Sequence, residues 1–219
     1  MSRRFSRWEK ECDETLASLT SKPALLLHAC CGPCSSYVVE YLANFFVITI
    51  YYYNPNIHPQ KEYERRLHEL KDFMPRFPPA TQAKLHIVEA PYDTEDFFSA
   101  TKARETPELQ SESEKGERCR RCYAFRLAKS YAYAAENGFD FITTTLSISP
   151  YKDAEKLNTI GHALEQEDGP HWLASDFKKK GGYLRSLELS KEYGLYRQDY
   201  CGCIYSKINI ERERASNEK

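Results

Sequence analysis

Ala24-Leu-Leu-Leu-His-Ala-Cys-Cys-Gly-Pro-Cys34 decides the fold. Ala24–Ala29 is apolar and too short for a helix, the pattern of a strand buried on both faces of a parallel sheet. It delivers Cys30, Cys31 and Cys34 to a turn at Gly32-Pro33, and Ser35 is a good N-cap for a helix running to about Asn44. Phe45–Tyr53 is β-branched and aromatic throughout, a second strand. Upstream, Phe5, Trp8, Cys12, Leu16 and Leu19 recur at helical spacing over 3–20.

The alternation continues outward. Asn54–Pro59 reads as a loop, Gln60–Phe77 as a helix stopped by Pro78-Pro79, Lys84–Ala90 as a strand, and Thr94 opens a helix toward Ala103. Arg104–Glu117 lacks periodicity and reads as a mobile surface loop. A helix over Arg118–Asn137, capped by Gly138, leads to a strand at Phe139–Thr145. Then come a helix over 153–166, a short strand at His171–Ala174, a helix over Tyr183–Tyr193 and a charged tail. Strands alternating with helices predict an α/β fold, a parallel sheet with helices on both faces. Ligands of such sheets bind beyond the carboxyl ends of the strands. The cysteine loop, Asn54–Pro59, Tyr92-Asp93 and Ser147–Asp153 each follow a strand, so all four fall on one rim. The expected organisation is an N-terminal helical extension over 1–22, one Rossmann-like domain over 23–203 and a tail over 204–219.

Of the 219 residues, 41% are hydrophobic, enough for a core, and the formal charge of −1 excludes a global field for a polyanion. Nothing resembles a signal peptide or the roughly 18 apolar residues of a membrane helix, so a cytoplasmic protein without membrane contact is expected. Reduced thiols there make eight cysteines a metal or redox question. Cys119 and Cys122, at i and i+3 near a helix start, present sulfurs on one face; flanking Arg118, Arg120 and Arg121 favour thiolates. Cys31 and Cys34 repeat the spacing, and Gly202 lets Cys201 and Cys203 face one way. Two C-x-x-C pairs supply the four thiolates of a structural zinc or a [4Fe–4S] cluster. The remaining Cys30, Cys201 and Cys203 favour a second metal or a redox dithiol. A zinc ribbon and a thioredoxin-like Cys31/Cys34 dithiol are the plainer readings, and each leaves cysteines unexplained.

LLLHACCGPCS (25–35), YYYNPNIHP (51–59) with Glu62, Tyr63 and Arg66, EKGERCRRCYAFRL (114–127), TTLSISPYKD (144–153) and SKEYGLYRQDYCGC (190–203) together resemble the QueH family of epoxyqueuosine reductases, in the same order. The resemblance implies a nucleotide-hydrolase-like Rossmannoid fold. It implies reduction of the epoxide of epoxyqueuosine at the tRNA wobble position, without cobalamin, by a [4Fe–4S] cluster beside a mononuclear iron. By position it assigns Cys31, Cys34, Cys119 and Cys122 to the cluster and Cys30, Cys201 and Cys203 to the iron.

Partners would be tRNA and an external electron donor, with the protein a monomer. Proton-donor candidates are Asp153, ranked first, with Tyr151, Lys152, His58 and Tyr53. Each has a plainer reading: Asp153 as a helix N-cap, His58 as an organiser of its loop, His28 as a hydrogen-bonded packing residue. Asn54, Asn56 and Ser147 could meet substrate. Arg118, Arg120, Arg121 and Arg126, with Lys115 and Lys129 against Glu117, could hold anticodon phosphates; Lys178–Lys180 is a weaker patch. Competing activities are a cluster-containing tRNA sulfurtransferase and a zinc-stabilised RNA-binding module. Against ATP use, the loop after the first strand has one glycine and no phosphate-cradling pattern.

Overall fold

A computed structural model describes residues 6–217; the first positions of the expected N-terminal helix, Phe5 among them, lie outside the described residues. Five strands, β1 (Ala24–His28), β2 (Val47–Tyr52), β3 (His86–Glu89), β4 (Phe141–Thr144) and β5 (His171–Trp172), form one sheet in the order β3-β2-β1-β4-β5. Every pairing is parallel. The helices are α1 (Arg7–Ser18), α2 (Gly32–Leu42), α3 (Gln60–Phe73), α4 (Pro78–Gln82), α5 (Thr94–Thr101), α6 (Pro107–Ser111), α7 (Glu117–Glu136), α8 (Ala154–Leu164), α9 (Gly182–Glu192) and α10 (Ile204–Asn217). This is the expected Rossmann-like α/β architecture.

The two faces follow from strand periodicity. Leu25 and Leu27 of β1 and Ile48, Ile50 and Tyr52 of β2 join the core under α1, α2, α3, α4 and α9. Leu26 and Tyr51, one position out of phase, point to the other face, packed by α7 and α8 through Tyr123, Leu127, Tyr131 and Leu157. A smaller cluster of Phe97, Phe98, Ala103, Leu109, Cys122, Cys203 and Tyr205 sits at the carboxyl end of the sheet. In register, His28 lies opposite Tyr51 on one side and Thr144 on the other, so the loops after β1, β2 and β4 leave from one level. The strand order reverses at β1, and the crevice opens there.

Five local expectations are corrected. The helix after β1 begins at Gly32, not after Ser35: Cys31 is the N-cap residue with Pro33 in the first turn, where a missing N–H costs nothing. The helix over 60–77 breaks at Phe73, because Pro75 has no N–H and the chain tightens into a 3₁₀ turn over Met74–Arg76. Pro78-Pro79, read as a stop, starts α4. Arg104–Glu117 is not a mobile loop. It contains α6, buries Leu109, and supplies Glu112, whose carboxylate accepts the Glu117 and Arg118 backbone N–H groups at 2.7 Å and caps α7. The expected tail is the helix α10, which buries Tyr205 and Ser206 in its first turn.

Candidate metal centre and its cavity

Cys30, Cys31 and Cys34 meet because β1 ends at His28 and α2 starts at Gly32, so the three thiols occupy a strand exit and one helix turn. Their sulfurs lie within 4.8 Å of one another, the one group of this kind among the described residues. Cys30 and Cys31 Sγ are 3.7 Å apart, and Gln198 Nε2 donates to Cys31 Sγ at 3.1 Å. Hydrogen bonds from Cys31 and Cys34 hold the Cys30 thiol well below its ordinary range against the opposing effect of burial, with Arg126 and Arg66 adding to the lowering. Cys31 is correspondingly pushed up to about 12. Of the three, Cys30 is thus the thiol most readily deprotonated, and the thiolate is the form that binds metal.

Cys30 and Cys34 face a cavity of about 470 Å³ also lined by Cys119, Cys122, Cys201 and Cys203, with Cys31 buried behind them. Burial pushes the Cys119 thiol up to about 11 and raises Cys122, with Cys201 adding to both. The flanking arginines expected to favour thiolates here are engaged elsewhere. In the Cys201–Cys203 turn, Cys203 lowers the Cys201 thiol by hydrogen bonding, and Lys152 contributes. Gly202 has φ +103°, and a Cβ there would stand 2.8 Å from Ile57 and 3.2 Å from Arg66 Nη1. The turn is fastened on both sides: Gly202 O accepts the His58 N–H at 2.7 Å. Arg66, fully buried and paired with Glu62 at 2.7 Å, donates to Cys201 O and Tyr200 O at 3.3 Å.

Lys152 lines the cavity with its side chain 10% exposed and Nζ 3.4 Å from Glu114. Burial disfavours its charge, but Cys201, Tyr123, Glu114 and Cys119 outweigh that and keep it protonated beyond the usual lysine range. Glu114 also accepts from Ser206 of α10 at 2.9 Å. Asn209, Ile210 and Glu213 carry α10 along the cavity wall. Tyr151, 66% exposed, stands at the mouth.

The remaining candidates occupy supporting positions. Asp153 caps α8 by accepting the Lys156 N–H at 3.1 Å. His58 orders its loop, Nδ1 against Asn56 O at 3.0 Å. Tyr53 is buried, its carbonyl accepting from His28 Nε2 at 3.2 Å and from Arg126 Nε at 3.4 Å. His28 is fully buried, with Nδ1 2.8 Å from Thr144 Oγ1. Asn54 donates to Ala29 O at 2.8 Å and accepts from Arg126. Ser147 is buried 3.0 Å from Ser175 Oγ. Arg118 lines the cavity but donates to the Leu109 and Gln110 carbonyls, while Arg120 and Arg121 pair with Glu117 at 2.6 and 2.9 Å. Asn56 lines the cavity with Oδ1 unpartnered.

Sequence reasoning had no role for Arg66, Glu114, Tyr123 or Gln198. All four lie inside the quoted motifs, which was the available signal. No helix among the described residues is long and apolar enough to cross a membrane.

The family model described as "Epoxyqueuosine reductase QueH" matches residues 25–209. Proteins named epoxyqueuosine reductase QueH are similar over most of this chain. The one from Streptococcus pyogenes serotype M1 is 40% identical over 91% of this chain and 73% of its own. That of Staphylococcus aureus is 37% identical over 93% and 80%, and that of Thermotoga maritima 31% identical over 87% and 94%.

Proposed function

The chain belongs to the epoxyqueuosine reductase QueH family, and we propose that it reduces the epoxide of epoxyqueuosine at the tRNA wobble position to the alkene of queuosine. The observation carrying this reading is the thiol geometry: three sulfurs within 4.8 Å of one another, two of them (Cys30 and Cys34) on a cavity lined by two further cysteine pairs. In the overall change two C–O bonds break, a C=C bond forms, and the oxygen leaves as water with two protons and two electrons. The electrons come from an external donor, and no cobalamin takes part.

The donor set fits metal, being soft and buried, with one thiol in each of two groups held below its ordinary range by its neighbours. We assign a [4Fe–4S] cluster to four of Cys30, Cys31, Cys34, Cys119 and Cys122, and an adjacent iron to the fifth with Cys201 and Cys203. The closeness of Cys30 to Cys31 and Cys34 argues against giving Cys30 in advance to the separate centre. Once bound, the cluster would supply electrons singly and the iron a Lewis-acid position.

The chain's own residues set the stage for that chemistry. Lys152 and Arg126 compensate thiolate charge from the cavity wall. Arg66 and His58 fix the Cys201–Cys203 turn. Tyr151 at the mouth offers a ring face to an unpaired base of the anticodon loop. The protein works in the cytoplasm as a monomer.

Metal analysis after anaerobic purification tests the reading: about four to five irons per chain with labile sulfide are expected. Turnover of epoxyqueuosine-containing tRNA with a strong reductant and no added cobalamin is the direct assay. One zinc per chain without sulfide would overturn it in favour of an RNA-binding module.

A further inference from the structure

Among the described residues, four buried polar atoms without a hydrogen-bond partner, Asn56 Oδ1, Arg118 Nε, Tyr123 Oη and Gln198 Oε1, belong to residues lining the thiol-walled cavity. Asn56 and Tyr123 are only 3% and 2% exposed. A buried polar atom left unpaired costs about 1–3 kcal/mol, so several at one cavity mark a surface shaped for a ligand. Their polar neighbours are already committed. Asn54 holds Ala29 and Arg126, Arg118 Nη1 holds the Leu109 and Gln110 carbonyls, and Lys152 and Ser206 hold Glu114. Gln198 is itself oriented, since Nε2 donates to Cys31 Sγ at 3.1 Å and leaves the amide oxygen over.

The chemistry of these atoms restricts what they can meet. Amide oxygens only accept, so Asn56 and Gln198 call for hydroxyl or amino hydrogens. A phosphate, which offers chiefly lone pairs, would be repelled by both. Only the Tyr123 phenol and the Arg118 Nε–H can donate. An epoxide oxygen carries no hydrogen and can only accept; the Arg118 guanidinium is held by Nη1 on the Leu109 and Gln110 carbonyls, whereas the Tyr123 hydroxyl has no partner and can turn its hydrogen to that oxygen. Its place directly after Cys122 on α7 sets this donor on the thiol-lined wall. Resting on the reductase reading above, we propose that the Tyr123 hydroxyl donates a hydrogen bond to the epoxide oxygen, while Asn56 Oδ1 and Gln198 Oε1 accept hydroxyl or amino hydrogens of the same nucleoside.

Tyr123→Phe and Asn56→Leu test the assignment, with Asn56→Ala in reserve should the leucine variant not fold. Because each removes an unpaired atom, both variants should melt no lower than wild type and hold as much iron and sulfide. In single-turnover assays on epoxide-bearing tRNA, Tyr123→Phe should lower the chemical rate about tenfold with KM little changed. Asn56→Leu should raise KM about tenfold. Wild-type turnover in the same assay separates the two readings: without it the reductase reading falls, whereas turnover equal in wild type and Tyr123→Phe overturns this assignment alone. Iron lost from either variant would also overturn it, since the atoms would then serve the metal.

Discussion

Arg66 has no route to water, and its guanidinium planarity is used in full: Nε meets Glu62 while the two terminal nitrogens take the carbonyls of Tyr200 and Cys201. Replacing it leaves Glu62, 11% exposed, with its charge unpaired. Arg66→Met should therefore lower the unfolding free energy by about 3–5 kcal/mol in anaerobic denaturant titrations. Arg66→Lys keeps the charge without the fork and should recover less than half of that. Cys12 behaves oppositely. Burial, reinforced by Asp13, pushes its thiol up to about 12. Iodoacetamide at pH 8 should spare it in the native protein and label it in denaturant. The unfolded chain releases this proton near pH 9 and the folded chain only near 12. The stabilisation is thus complete below pH 9 and lost as pH rises through 12, at up to about 1.4 kcal/mol per pH unit relative to Cys12→Ala. The cysteines within each of the three groups were legible as neighbours because their spacings are local, and the strand–helix alternation placed the first group on the rim, where Cys30 and Cys34 line one cavity with Cys119, Cys122, Cys201 and Cys203. The burial of Arg118 and Arg126 was not, because a guanidinium that serves distant carbonyls reads in sequence like one meant for phosphate.

Among the elements, α8 separates capping from catalysis. Asp153 stands at its N-cap and accepts the Lys156 N–H. Asp153→Ala should cost about 1 kcal/mol of stability, while Asp153→Asn, which keeps an accepting oxygen, should keep both stability and turnover. Loss of turnover in Asp153→Asn alone would return this residue to the role of proton donor. On the same helix, a Cβ at Gly161 would lie 2.1 Å from the Trp172 indole, so helix and sheet approach more closely than any side chain allows. Gly161→Ala should destabilise the fold by about 1–3 kcal/mol, read as a lower Tm, with iron content unchanged. Strand positions and most helix ends agreed with the periodicity to within about two residues, the usual reach of local signals. The failures share a cause: prolines at 33, 75, 78 and 79 act through φ and a missing N–H, which can open a helix as readily as close one. The helix α6 escaped notice because its five residues depend on Leu109 reaching a core that no local pattern reveals.

At the scale of the whole molecule, the sheet order places β1 between β2 and β4, so the rim loops predicted from strand–helix alternation do converge. The wall supplied by α10 could not be foreseen, since its approach to the cavity depends on the Cys201–Cys203 turn and on Ser206 reaching Glu114. The same assembly alters what RNA binding should look like. Of the six basic side chains over 115–131, Arg118 and Arg126 are buried against oxygen acceptors, and Arg120 and Arg121 are paired with Glu117. In the second patch Lys178 pairs with Asp176 and Lys180 with Asp13. Exposed Lys115 and Lys129 remain to meet phosphates from the first patch, on a chain of net charge −1. Binding that neutralises two or three phosphates of an unpaired loop gives a slope of log K against log salt of about −2. Fluorescence anisotropy of tRNA between low and moderate salt should return that shallow dependence, with affinity resting on the base carried into the cavity. Removal of the ring in Tyr151→Ala should then weaken binding by about 1–3 kcal/mol without changing the slope. A slope steeper than about −4 would mean that the arginines of α7 leave their internal partners to bind the backbone, and the thiol-lined wall they help to build would have to rearrange with them.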